Sequence, residues 1–434
     1  MTQHSAETAY LFRHALLRDA AYELQPPGVR ARLHGLALEG LESLFGGVPP
    51  GHATDVSGDA KSVPCPIDAV AAELAEHAHR ARTLAESDSE ILLAREALYL
   101  RRAAEHAERA WHTSDAFRLW QRYAELAVGV DKAEAVRKAG MQALHSGHPK
   151  TAEAMFMEAR RIASSVGDCP NEGMALANLA LLYQQTGQFE ASLQCYAPAL
   201  DLFRQAGNRR FEGVALGDMA GVYQQTGRLE LAEQLHDQAL AIHREVGNRR
   251  SEGVTIGNLA GVYQDTGRYE LTERAFESAI AIHREVGNRR SEGTALGNLA
   301  LLYLHTGRVD LAEQTFAQAL AIQREVGNRR SEGVLLGNAA RVFQTTGRSA
   351  MALESYELAL AIHREVHNRR FEGMHLCDYA EFLLTLGRTA DAQRHWKSGA
   401  ELLLQLGDLP NLAQRRKAML EACAEAGVPP LASG

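Results

Sequence analysis

The chain has 434 residues, 46% of them hydrophobic and 23% charged, and its 54 acidic against 46 basic side chains leave a formal charge of −8. That is an ordinary globular composition, which excludes collagen-like, disulfide-stapled and wholly disordered classes. The mildly acidic balance argues against a general attraction to nucleic acid or to anionic membranes, because both draw on a surplus of Lys and Arg. No run approaches the roughly 18 apolar residues of a membrane-spanning helix, and the opening MTQHSAETAYLF lacks the basic-then-apolar pattern of a secretory signal. A cytoplasmic protein is therefore expected. Cys65, Cys169, Cys195, Cys377 and Cys423 are scattered and odd in number, which fits reduced thiols better than a disulfide framework or a zinc site.

Residues 1–45 read as a helical segment broken at Pro26 and Pro27. Phe12 with His14, Asp19 to Tyr22, and Leu33 with His34 resemble the junction that follows the nucleotide-binding and winged-helix region of bacterial STAND-type signalling ATPases. The resemblance implies a sensor portion of such a regulator, either standing alone or belonging to something larger. Nucleotide hydrolysis is not implied, since no phosphate-binding loop of the form glycine, four residues, glycine-lysine-serine/threonine occurs. Residues 46–66, rich in Gly, Pro, Ser and Asp, predict a flexible linker. Residues 67–132 read as helical and repeat-like, with a helix pair over Ile91 to Leu126 anchored by Trp111, Phe117, Trp120 and Tyr123. His77 and His79, two apart on a predicted helix, point to different faces and so predict no metal site.

From about residue 133 the chain repeats itself. GNRRSEG occurs verbatim at Gly247 to Gly253, Gly287 to Gly293 and Gly327 to Gly333, a step of 40 residues, with relatives beginning at Gly207 and His367. A second glycine column, Gly187, Gly227, Gly267, Gly307, Gly347 and Gly387, lies 20 residues out of phase, so each unit has two halves. In one unit Ile256, Leu259 and Tyr263 fall at helical spacing, and beyond the turn at Thr266 to Arg268 so do Thr272, Phe276, Ala279 and Ile280. Glycine suits the left-handed turn that ends a helix, and Asn248, Asn288 and Asn328 suit the cap that starts the next. Small residues recur at Ala180, Ala220, Ala260, Ala300, Ala340 and Ala380, and a large ring recurs at Tyr196, Phe276, Phe316, Tyr356 and Trp396, with His236 as the exception. The predicted unit is an antiparallel helix hairpin.

With the Leu259 and Ala260 pair, Tyr263, Gly267, the small residue at Ala232 or Ala312, Phe276 and Ala279, the chain resembles the tetratricopeptide repeat family in the 40-residue form of Pins-like scaffolds and kinesin light chains. The resemblance covers about seven units over 133–412, with degenerate first and last units. A capping helix and tail follow over 413–434, the helix reaching from near Asn411 to Gly427. It implies an all-α fold, a right-handed superhelical solenoid of helix hairpins, whose first helices line a concave groove that holds a partner segment.

No catalytic constellation or cofactor motif stands out against the repeat frame, so a non-catalytic protein without a cofactor is expected. His243, His283 and His363 share a column with Gln323, which points to a surface or packing role. The paired arginines Arg209 with Arg210, Arg249 with Arg250, Arg289 with Arg290, Arg329 with Arg330, and Arg369 with Arg370 open each first helix, where the macrodipole disfavours cations. Either they pair with Glu212, Glu252, Glu292, Glu332 and Glu372 or with Glu245, Glu285, Glu325 and Glu365 at the end of the preceding helix, or they form a basic ladder for an acidic partner.

Asn178, Asp218, Asn258, Asn298, Asn338 and Asp378 form a column on the first helices, although Asn and Asp are poor helix formers. In the resembling scaffolds an asparagine at this place hydrogen-bonds the backbone of a bound peptide, and the alternative is a bridge between adjacent units. Gly217, Gly221, Gly257, Gly261, Gly297 and Gly337 interrupt the same helices at a cost of roughly 1 kcal/mol each. They leave room for an adjacent helix or for a ligand backbone. Positions that vary over the constant frame include Asp265, His305, Arg341 and Glu381, which would select the partner. The expected partner is thus a protein or peptide segment, with self-association through the near-identical units as a further option and neither nucleic acid nor membrane expected.

Overall fold

The computed structural model describes residues 22–51, 63–85, 89–110 and 112–431. Phe12, His14, Asp19 to Ala21 and Trp111 lie outside them, as do residues 52–62 of the expected linker. Among the described residues 19 α-helices and no strand occur. The chain divides into two compact units, Met1–Thr226 and Gly227–Gly434.

The first unit holds α1 (Pro27–Leu44), α2 (Ala71–Leu84), α3 (Glu90–Arg109), α4 (Thr113–Leu126), α5 (Gly129–His145), α6 (Pro149–Ser165), α7 (Cys169–Gln185), α8 (Phe189–Gln205) and α9 (Arg209–Gln225). A short 3-10 helix, Pro66–Val70, precedes α2. Leu38, Leu74, Tyr99, Leu100 and Trp120 form the core of its N-terminal part. Three carboxylates are sunk beside that core, and each has its own partners. Asp68 pairs with Arg102 at 3.2 Å and Arg109 at 2.6 Å. Glu42 takes the Tyr99 hydroxyl and Arg95, both at 2.8 Å, and Glu96 takes Arg82 at 3.0 Å and His79 at 2.8 Å. Cys65 and Pro66, at the end of the expected linker, are held here: Cys65 caps the 3-10 helix and its Sγ lies 2.8 Å from Arg102.

The second unit holds α10 (Leu229–Glu245), α11 (Arg249–Asp265), α12 (Tyr269–Glu285), α13 (Arg289–His305), α14 (Val309–Glu325), α15 (Arg329–Thr345), α16 (Ser349–Glu365), α17 (Arg369–Thr385), α18 (Thr389–Gln405) and the final helix α19 (Leu409–Glu425). The hairpins are α11 with α12, α13 with α14, α15 with α16, and α17 with α18. The last helix begins at Leu409, four residues before the expected capping segment, because Asp408 takes its N-cap place.

The turns follow from local chemistry. Gly267 has a φ of 73°, and the Arg268 amide closes back on the Tyr263 carbonyl at 2.8 Å, satisfying a carbonyl that the helix end leaves open. Asn248 and Asn328 accept from the amides of Ser251 and Ser331, whereas Asn288 makes no such bond and donates to the Ser291 hydroxyl at 2.9 Å. His367, where the other units have glycine, is the one non-glycine residue at positive φ among the described residues, at 50°.

Packing within a hairpin depends on a glycine near the start of the first helix. A Cβ at Gly253, Gly293 or Gly333 would come within 2.6 to 2.9 Å of His283, Gln323 or His363, side chains near the end of the second helix. The histidine column is therefore a packing column: His243, His283, Gln323 and His363 are all buried. Successive hairpins are tied by the arginine of each turn. Arg268 reaches Glu233 at 2.6 Å and Arg308 reaches Glu273 at 2.9 Å, each lying 4.5 Å over the ring of Tyr263 or Tyr303.

Candidate partner-binding surface

The two units place their shares of the asparagine column differently. In the second unit Asn258 and Asn298 are exposed and Asn338 is half-buried. None of the three side chains hydrogen-bonds any described residue, so no bridge to a neighbouring helix accounts for them. Three amides, each with a donor and an acceptor, are left open on the first helices α11, α13 and α15. Asp378 on α17 differs, because Arg415 of α19 pairs with it at 3.1 Å and also donates to the Met374 carbonyl at 3.2 Å. In the first unit the Asn178 Nδ2 is buried with no partner. Asp218 keeps an exposed edge, but the protein crowded around it pushes its carboxyl up, to about 7.

The glycines resolve into two kinds. A Cβ at Gly297 would meet Leu335 at 2.5 Å, and one at Gly337 would meet the His375 ring at 2.1 Å, so the adjoining first helix fills those places. At Gly257 the nearest contact would be Ala279 at 3.9 Å, and at Gly221 Gln184 at 3.6 Å, which is ordinary spacing. The four selecting positions also separate. Asp265 and Arg341 are exposed, while His305 is tied through Nε2 to the Tyr269 hydroxyl at 2.9 Å. Glu381 is half-buried, and burial, aided by Asp378, pushes its carboxyl up to about 7.

The arginine pairs are largely consumed internally. Arg249 bonds Glu252 at 2.6 Å and Glu285 at 2.5 Å; Arg289 does the same with Glu292 and Glu325, and Arg329 with Glu332 and Glu365. The remote partner closes the same hairpin and is not at the end of the preceding helix. That preceding helix contributes instead Arg244, Arg284 or Arg324, which grips the same glutamate from the other side at 2.6 to 2.9 Å. Arg209 bonds Glu212 at 2.5 Å, Arg369 bonds Gln405 at 2.9 Å and Arg370 pairs with Asp408 at 2.7 Å. Arg250 and Arg330 are exposed and have no ion pair among the described residues, whereas Arg210 and Arg290 are engaged. The ladder thus keeps two open rungs.

Other sequence signals became structural. His77 meets His34 at 2.7 Å while His79 meets Glu96, so the two do part to different faces. Of the junction pattern, Tyr22 and His34 are joined at 2.7 Å, and Leu33 is exposed on α1. All five cysteines are free thiols. Two features escaped the sequence reading: the turn arginines, legible only as a TGR motif, and Arg415, whose pairing depends on where α19 comes to rest.

Residues 131–205, 211–285, 251–325 and 291–365 match the tetratricopeptide repeat family. These segments span more than half of the chain, and the protein belongs to that family. Such repeats are typically non-catalytic and make the chain a protein-interaction scaffold. No curated protein matches it. Among solved structures, a Rap protein complexed with competence and sporulation factor is 16% identical, covers 79% of this chain and 97% of its own, and superposes with a TM-score of 0.58. Aspartyl phosphate phosphatase F from Bacillus subtilis is 13% identical over 79% of this chain and 96% of its own, with a TM-score of 0.56. The Rap conjugation gene regulator of plasmid pLS20, in complex with the Phr* peptide, is 14% identical over 70% and 87%, with a TM-score of 0.51. These likenesses are of fold. Among the described residues no helix is long and apolar enough to cross a membrane.

Proposed function

We propose that the protein is a non-catalytic cytoplasmic scaffold that binds an extended or helical segment of a partner protein along the face formed by its first helices. Asn258, Asn298 and Asn338 would hold the segment's backbone, with Asp265, Arg341 and Glu381 selecting its side chains. The observation that carries this reading is the absence of any hydrogen bond from the three asparagines to the rest of the described protein. Three helices that each host a poor helix former without using it internally have it available to something else. The Phr* peptide bound by a protein of similar fold is in keeping with a segment-binding role.

The test is a pull-down from native cytosol with the intact chain and with an Asn258→Ala/Asn298→Ala/Asn338→Ala variant whose helicity is verified by circular dichroism. A protein retained by the first and lost by the second is expected; equal retention sinks the reading. A second reading, regulation of a signalling ATPase, kinase or cyclase, rests on the Tyr22, Leu33 and His34 pattern, whose ring pair is packed against α2 through His77. It gains if the retained protein carries a nucleotide-binding or catalytic output domain.

A further inference from the structure

One helical turn past each member of the asparagine column, the first helices of the second unit carry Gly261, Leu301, Arg341 and Glu381. Glu381 on α17 is half-buried, as Gly261 and Leu301 are in their own helices, whereas Arg341 is exposed. A carboxylate set where other hairpins place a glycine or a leucine gives up part of its hydration, and an internal cation ordinarily offsets that loss.

Here none does. Glu381 makes no hydrogen bond and no ion pair among the described residues. The charged groups acting on it are Asp378 on its own helix, Arg341 on α15, and Arg415 and Glu421 on α19. Arg415 is already committed, pairing with Asp378 at 3.1 Å and donating to the Met374 carbonyl at 3.2 Å. Arg341, in the same column one hairpin earlier, stays without an ion pair. Asp378 and Glu421 carry the same sign as Glu381. Tyr356 on α16 feels both Asp378 and Glu381, but its buried hydroxyl takes a hydrogen bond from Gln344 at 3.0 Å and supplies no counter-charge. The hairpin next to that of Asn338 thus presents a half-buried carboxylate whose cation the described protein does not provide.

We propose that Glu381 receives a cation of the bound partner segment, either a lysine or arginine side chain or the segment's free amino terminus. A charge-assisted hydrogen bond to an ammonium or guanidinium group would give this carboxylate the partner it lacks. Arg341 repels a cation one hairpin earlier, so the two positions together fix the segment's register. The inference rests on the segment-binding reading and names the chemistry of the segment beyond Asn338.

Four pools of short peptides, labelled with fluorescein at the C-terminal end, are titrated against the full chain by anisotropy at pH 7.5. They carry lysine or glutamine at fixed positions, each with a free or an acetylated amino terminus. The wild type is expected to favour cation-bearing pools, and Glu381→Gln to weaken them by about tenfold or more while leaving the neutral acetylated pool unchanged. Loss confined to the free-terminus pools identifies a chain end, and loss confined to the lysine pools identifies a side chain. The pH profile gives a second readout. Since the carboxyl takes up a proton as pH falls through about 7, wild-type affinity for the cationic pools should drop about tenfold by pH 5.5, and that of Glu381→Gln should not. Equal binding by Glu381→Gln, or a flat wild-type profile, overturns the proposal. Glu381→Gln should melt at or above the wild-type temperature at pH 7.5; a clear fall would make Glu381 a structural residue and would also overturn it. Binding that responds to the asparagine triple variant but not to Glu381→Gln leaves the segment-binding reading standing and sinks the cation site. Binding that responds to Glu381→Gln but not to the triple variant does the reverse, and no binding by any pool counts against both.

Discussion

The N-terminal part of the first unit and the repeats of the second handle buried charge in different ways. In the former, Asp68, Glu42 and Glu96 are each sunk beside the core and matched by partners that occur once, so these pairs are tailored to their places. In the latter one arrangement recurs, begun already at Glu212: Glu252, Glu292 and Glu332 are buried, but the arginines that grip them are about half exposed. A pair with both members out of water loses its solvation on both sides, whereas a pair with one wet member keeps most of it. The irregular region thus holds a pair with both members out of water, Asp68 with Arg102, whereas the repeats keep the arginine of each such pair wet and leave the amides of Asn258, Asn298 and Asn338 uncommitted.

The comparison breaks first at Asp68→Ala, which strands Arg102, only 4% exposed in its side chain. A loss of about 3–5 kcal/mol is expected in urea unfolding, against about 1 kcal/mol or less for Glu292→Ala, whose arginines can return to water. Equal losses would erase the distinction between the units. Within the second unit, Gly337→Ala should cost about 1–3 kcal/mol by forcing the His375 ring aside. Gly257→Ala meets no such obstacle and should gain up to about 1 kcal/mol in the same assay from helix propensity. His367→Gly should stabilise by roughly 0.5–1 kcal/mol, since it relieves a left-handed backbone that side chains disfavour.

The smallest expected effect depends on pH. The folded-state pKa of Glu381 lies near 7, above the value for an unfolded carboxylate, so the folded chain binds the extra proton. Its contribution is present below the unfolded value and is lost as pH rises through about 7. Glu381→Gln should accordingly melt higher than the wild type at pH 8, with the gap closing by pH 5, and a gap that widened on acidification would refute this. Glu285, Glu325 and Glu365 behave oppositely: arginine hydrogen bonds hold them below the ordinary carboxylate value, so their contribution is present at neutral pH and lost on acidification.

Much of the candidate surface was legible because repetition separates frame from variation. A column such as Asn258, Asn298 and Asn338 stands out because it keeps the 40-residue step while a neighbouring column, Gly261, Leu301 and Arg341, changes. Arg415 did not stand out, since a lone arginine in a helix has no pattern behind it. Nor could the sequence choose between the two glutamate sets offered to the arginines, because the answer is both, with the remote partner 36 residues on at the far end of the same hairpin.

The sequence by itself determined the helix hairpins, their 40-residue step, their turns and the family, because these depend on periodicity, on glycine at left-handed positions and on small residues at close contacts, all of which act over short distances along the chain. Only the tertiary structure decided which polar side chains are used internally and which remain open. Whether Asp378 meets Arg415 and whether His375 fills the space above Gly337 depend on how separate helices settle against each other, and no local pattern encodes that.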